Sequence, residues 1–149
     1  MTITNSRPVT IAALGFIAGL AVSQAAHAAA APLDAAALDV SAMTPGDMPS
    51  PAAATPNLRA RTFVVTDGAT FAMQMGTVQK HFHTDANEVQ MIVAGGGTEW
   101  LGGRQVALKP GMVLIIPAGT AHGGTTDPNL TLVSVKTPPQ GTSDFHPVP

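Results

Sequence analysis

The chain has 149 residues and a net charge of −2 with histidines neutral; 45 % of it is hydrophobic and only 11 % charged. That length gives one domain. The absence of Cys and Tyr excludes disulfides, thiolate metal sites, iron–sulfur clusters, a Cys nucleophile and any mechanism that needs a phenol. The seven Lys and Arg are scattered, so there is no basic stripe to replace counterions along phosphates, and no nucleic-acid partner is expected.

In chain order, Met1 to Pro8 is short and polar with one positive charge, Arg7, and Val9 to Val22 is an apolar run without a charge. Small residues follow, with Ala26-His27-Ala28 as an Ala-x-Ala cleavage site. These are the parts of a secretory signal peptide over residues 1–28. The apolar run is shorter than the roughly 20 residues that span a bilayer as a helix, although an uncleaved anchor or a buried N-terminal helix would use the same residues. Cleavage after Ala28 leaves six basic against nine acidic residues. The expectation is an exported protein, periplasmic or extracellular, with no membrane attachment after cleavage. No Arg pair precedes the apolar run, so the chain is expected to fold and meet any metal outside the cytoplasm.

Residues 29–58 are Ala/Pro-rich, with Pro32, Pro45, Pro49, Pro51 and Pro56. That spacing forbids a long helix or a central strand. The segment reads as a mostly extended tether, although Leu33, Leu38, Val40 and Met43 could instead form a helical turn or drape over the domain.

From residue 59 to residue 138 the texture changes to short β-like runs cut by Gly and Pro. Strands are expected at Arg61–Thr66, Thr70–Met75, Thr77–Phe82, Val89–Val93, Thr98–Leu101, Gln105–Leu108, Met112–Ile116 and Leu130–Thr137. The separators include Asp67-Gly68, Gly95-Gly96-Gly97, Gly102-Gly103 and Pro117-Ala118-Gly119. No run has a sustained helical period, so the pattern predicts an all-β sandwich or barrel. Residues 139–149 form a Pro-rich tail. A core this small is marginal alone, and an ion or a partner subunit would stabilise it.

The chemistry-bearing cluster begins at His81-Phe82-His83. In a strand, residues i and i+2 share a face, so both imidazoles enter one space and Phe82 points away. Glu88 returns across the turn Asp85-Ala86-Asn87, and His122 follows Pro117-Ala118-Gly119-Thr120. Three imidazoles and one carboxylate form a mixed nitrogen and oxygen donor set for a divalent transition metal. Surface or hydrogen-bonded core histidines are the competing reading of an isolated His-x-His pair.

The Gly and Pro frame around these residues is more specific. Gly76-(x)4-His81-x-His83-(x)4-Glu88-(x)6-Gly95 is followed by Gly111-(x)5-Pro117-x-Gly119-(x)2-His122. This frame resembles the two motifs of the cupin superfamily, with four rather than five residues before the first His and Thr126 where the second motif often has Asn. The resemblance covers about Gly76 to Thr126. It implies a double-stranded β-helix (jelly-roll) barrel with one ion in its mouth, held by His81, His83, Glu88 and His122. Gly95, Gly111 and Gly119 fall where tight turns need positive φ.

Around the ion, the parity of Glu88 turns Gln90 and Ile92 inward. Gln90 is the candidate catalytic residue, or else a satisfied interior amide. Phe71, Met73 and Met75 pack in the core or line the mouth. Trp100 is read as an interface or core residue, or else a stacking platform for a ligand; Lys80 and Arg104 are read as solvated surface charges, or else as attractors of an anionic substrate; and His146 is read as a bystander. The apolar strand Met112 to Ile116 is expected to be buried on both sides, which fits a homodimer.

Three functions follow from this site: a metal-dependent enzyme on a small organic substrate, a non-catalytic module binding a metal or small ligand, and a barrel whose metal serves stability alone. Resemblance to cupin dioxygenases makes oxygenation of an enol-type substrate the leading reaction. The expected cofactor is a divalent transition metal, Fe or Mn first, with Ni, Zn or Cu also compatible.

Overall fold

A computed structural model describes residues 34–149; the expected signal peptide, residues 1–28, lies outside them. Among the described residues, ten strands make two five-stranded antiparallel sheets. The first sheet has the order β1-β2-β9-β4-β7, made of β1 (Leu58–Val65), β2 (Thr70–Gly76), β9 (Thr131–Thr137), β4 (Asn87–Ala94) and β7 (Val113–Ile116). The second has the order β10-β3-β8-β5-β6, made of β10 (His146–Pro147), β3 (His81–Phe82), β8 (His122–Gly123), β5 (Thr98–Leu101) and β6 (Arg104–Ala107). Apart from the hairpins β1-β2 and β5-β6, neighbours in these sheets are far apart in sequence, as the crossing connections of a jelly roll require.

Most runs read from the sequence become strands. The expected strand Thr77–Phe82 shrinks to His81–Phe82, and two-residue strands at His122 and His146 carry too little pattern to be seen in sequence. Gly95, Gly111 and Gly119 all have positive φ, at 79°, 85° and 78°. A Cβ at Gly95 would also lie 2.7 Å from the Asn129 carbonyl oxygen, so the turn before β5 admits only glycine.

Alternation gives the first sheet two different faces. Its inner face carries Ile92, Leu114, Ile116 and Leu132, which pack with Leu108 and Leu130 into an apolar cluster at one end of the barrel. Its outer face carries Phe71, Met73 and Met75, so these residues do not line the mouth. They pack with Phe63, Val93 and Val133 under a cover of Val40, Met43 and Met48. Residues 40–48 therefore drape over the sheet. Arg59 and Arg61 donate to the carbonyls of Pro49 and Asp47 and tie the segment to β1.

The strand Val113–Ile116 is not buried on both sides. Leu114 and Ile116 are 3 % and 1 % exposed, whereas Val113 and Ile115 are 55 % and 72 % exposed. The reason is position: β7 is the edge of its sheet, and the draped segment covers only the β2 half of the outer face.

Candidate metal centre

The two sheets bring the four sequence-predicted donors together from opposite sides. His81 and His122 are cross-strand partners in the second sheet, with ring centroids 4.3 Å apart. His83 follows β3 directly, its ring 5.0 Å from His81 and 5.3 Å from His122. Glu88 faces them from β4. One ligand atom from each of the four lies within 4.8 Å of every other, and all four side chains are buried.

The tautomers are set by the backbone. Nδ1 of His81 meets the Gln79 carbonyl, Nδ1 of His122 meets the Thr120 carbonyl, each at 2.9 Å, and Nδ1 of His83 meets the Asp144 carbonyl. A carbonyl only accepts, so each Nδ1 carries the proton and a neutral ring keeps its Nε2 lone pair free. Those free atoms point at one another and at the carboxylate. His122 Nε2 and His83 Nε2 lie 3.1 and 3.3 Å from Glu88 Oε2, and His83 Nε2 has no hydrogen-bond partner. Lone pairs facing a carboxylate at that distance are relieved by a shared cation, either a proton or a metal ion. The donor set therefore fits a divalent transition metal.

The charges agree. Burial drives the His81 imidazole down to about 3, aided by the neighbouring His122, so the ring is neutral at ordinary pH. Burial alone would raise the Glu88 carboxyl. The His122 and His83 rings beside it and the Lys136 charge outweigh burial and hold Glu88 ionised. Neutral imidazoles and an ionised carboxylate are the states a metal requires.

Gln90 faces inward as its parity predicts. Its Nε2 donates to Glu88 Oε1 at 3.2 Å, while its buried Oε1 lacks a partner. Ile92 continues the same face into the apolar cluster. Trp100 lies outside the mouth beneath Lys80, whose Nζ is 4.5 Å from its ring, and Arg104 is exposed. His146 stays outside the donor cluster, stacked on Phe82 with ring centroids 4.9 Å apart.

Four residues escaped the sequence reading. Glu99 is buried, accepts the Gly123 N–H at 3.0 Å and leaves its other oxygen unpartnered; burial pushes its carboxyl up to about 7. Lys136 places Nζ 3.7 Å from Glu88 Oε2. Asp144 accepts the Thr84, Asp85 and Ala86 N–H groups, clamping the loop that joins His83 to Glu88. Phe145 stacks on His81 with centroids 4.3 Å apart. Strand alternation carried the signal for Glu99 and Lys136. Nothing local marked Asp144 and Phe145, because their partners lie some sixty residues away.

A cavity of about 410 Å³ opens onto the cluster through His81, Glu88 and Gln90, walled by Leu58, Val78, Gln74, Gln140 and Phe145. The cavity thus reaches the donor cluster at His81 and Glu88 and has room above them for a small molecule.

Comparison with known proteins agrees with the fold. Residues 69–136 match the family described as "Cupin domain". An uncharacterised Klebsiella pneumoniae protein with a double-stranded β-helix domain superposes with a TM-score of 0.59 at 19 % identity, over 78 % of this chain and 99 % of that one. Pac13 from Streptomyces, described as a unique nucleoside dehydratase, superposes with a TM-score of 0.53 at 18 % identity, over 62 % and 78 %. KdgF from Halomonas sp. gives 0.50 at 19 % identity, over 56 % and 80 %. A search of the curated proteins finds no significant match. Jelly-roll topology, motif spacing and family match converge on one segment: residues 69–136 match the cupin domain in sequence and in fold.

Proposed function

We propose that this protein binds one divalent transition metal through His81, His83, Glu88 and His122 and is a metal-dependent enzyme acting on a small organic substrate. The observation that supports it best is the convergence of three carbonyl-anchored imidazoles and one ionised carboxylate beneath an open cavity. Fe or Mn is the first choice of ion, with Ni, Zn and Cu compatible with the same donors. Bound there, the ion would supply Lewis acidity and open coordination positions.

The chain's own residues do the rest. The three backbone carbonyls fix the rings, and Asp144 fixes the loop between His83 and Glu88. Gln90 orients Glu88 and offers an unpartnered amide oxygen to a substrate proton. Phe145 and Val78 exclude water from the cavity wall. An enol-type substrate oxygenated in the manner of cupin dioxygenases is the leading reaction.

The second reading is a non-catalytic module that holds a metal or small ligand. The scarcity of proton-transfer groups in the cavity lining among the described residues, where Gln90 and Lys136 stand beside Glu88, favours it. Oxygen uptake and product analysis with metal-loaded protein and a panel of enols and phenols separate the two. Turnover supports the enzyme, and a ligand recovered unchanged supports the binding module.

Export and self-association belong to the same proposal. The outer face of the first sheet exposes Val89, Met91, Val113, Ile115 and Val135, with Val135, Val89 and Ile115 in one cross-strand row. A second copy seated there would cover the half of that face which residues 40–48 leave open.

A further inference from the structure

The cavity above the donor cluster has one cationic group in its lining, Lys136. Its side chain is only 13 % exposed, and buried lysines are rare unless paired. Its partner is Glu88, directly opposite across β9 and β4, with Nζ 3.7 Å from Oε2. That same oxygen faces the Nε2 atoms of His83 and His122, so a bound divalent cation claims it. The side-chain amide oxygen of Gln140, Oε1, accepts from Lys136 but carries no charge.

With the cation in place the charges no longer balance. Two positive charges of the ion and one of Lys136 face one negative charge of Glu88. Of the other carboxyls nearby, Glu99 is turned toward Gly123 and Asp144 is held by the N–H groups of Thr84, Asp85 and Ala86, and neither lines the cavity. A buried excess of positive charge demands an anion. The amides of Gln74 and Gln140 line the same cavity and each keeps one N–H beyond its bond to Ser134 Oγ or the Asp144 carbonyl, while Leu58, Val78 and Phe145 give the wall its apolar part.

We infer that the small molecule taken by this site is an organic acid, whose carboxylate pairs with Lys136 while its apolar part lies against Phe145. This rests on the metal-centre reading and deepens it: Lys136 is the residue that selects an acid over its neutral analogue.

The test uses the full mature chain loaded with Co2+, whose visible absorption reports the ion's surroundings. Small 2-oxo and 3-oxo acids, each beside its methyl ester, are titrated by absorption and by calorimetry. Wild type is expected to bind the acids at least about tenfold more tightly than the esters. Lys136→Met should lose that preference, and Lys136→Arg should keep most of it. Both variants should bind Co2+ at least as tightly as wild type, since neither change removes a donor and Lys136→Met removes a repelling charge.

Equal binding of acids and esters, no binding of any acid to the Co2+ form, or an acid preference that survives Lys136→Met would each overturn the inference while leaving the metal centre standing. Failure of wild type to bind Co2+ would overturn the centre and this inference with it. Melting curves of both variants confirm that a lost preference is not a lost fold.

Discussion

The two ends of the barrel interior are built on the same strands but obey different chemistry. Along β4 the inward residues run Glu88, Gln90, Ile92; along β9 they run Lys136, Ser134, Leu132. One end is closed by Ile92, Leu108, Leu114, Ile116, Leu130 and Leu132. The other gathers His81, His83, Glu88, Gln90, Glu99 and His122, and the orphaned atoms His83 Nε2, Gln90 Oε1 and Glu99 Oε2 all lie at that end. Burying unpaired polar atoms costs roughly 1–3 kcal/mol each, so the polar end is held in place by the apolar one and by whatever occupies it. One end supplies stability and the other supplies the site.

Substitutions should separate the two ends. Ile92→Ala or Leu130→Ala, each in a nearly fully buried side chain, is expected to cost about 2–5 kcal/mol in denaturant unfolding. Metal affinity of the surviving folded fraction should stay close to wild type. His122→Ala should do the reverse, lowering metal affinity by more than roughly a hundredfold, beyond the usual penalty for losing an outer-shell partner. It should also abolish the rise in melting temperature that the metal gives wild type. A stability loss in His122→Ala equal to that of Ile92→Ala, without loss of metal, would erase the distinction.

The next effect concerns the strap. Asp144→Ala frees the Thr84–Ala86 loop and is expected to weaken metal binding roughly ten- to hundredfold, read as faster release to a chelator.

Acid tests the polar end directly. His81 is held near 3 when folded, against 6.5 in an unfolded chain, so the unfolded state takes up protons first. Its contribution to the stability of the metal-free protein is complete above 6.5 and is lost as pH falls toward 3. Glu99 has the opposite sign. Its folded value near 7 exceeds 4.5, so its contribution is complete below 4.5 and disappears as pH rises through 7. Glu99→Gln should therefore gain stability relative to wild type at pH 8 and lose that advantage at pH 4, as chemical denaturation at the two pH values would show.

The smallest effect on folding should come from the outer face. Ile115→Lys lies on exposed surface and should leave unfolding within about 0.5 kcal/mol of wild type. In light scattering it should shift the protein from dimer to monomer.

Sequence legibility divides along the same line. Motif spacing placed His81, His83, Glu88 and His122, and parity placed Gln90 and Ile92, because both depend on residues close together in the chain. Parity within Leu130–Thr137 could also have placed Lys136. The strap could not be read this way: Asp144 and Phe145 sit in a short Pro-rich stretch whose partners lie around residues 81–86. Burial of Met112–Ile116 on both sides was a misreading, since an apolar run does not reveal whether its second face is covered by the same chain.

The central claim is one metal ion per chain at the four donors. Its most direct measurement is the metal content of tag-free protein purified from its own compartment, for wild type and Glu88→Gln, by elemental analysis after exhaustive dialysis. One equivalent of a divalent transition metal in wild type and close to none in Glu88→Gln is the predicted result. Metal-free wild type that also takes up none on titration, or an equal content in both proteins, would contradict it.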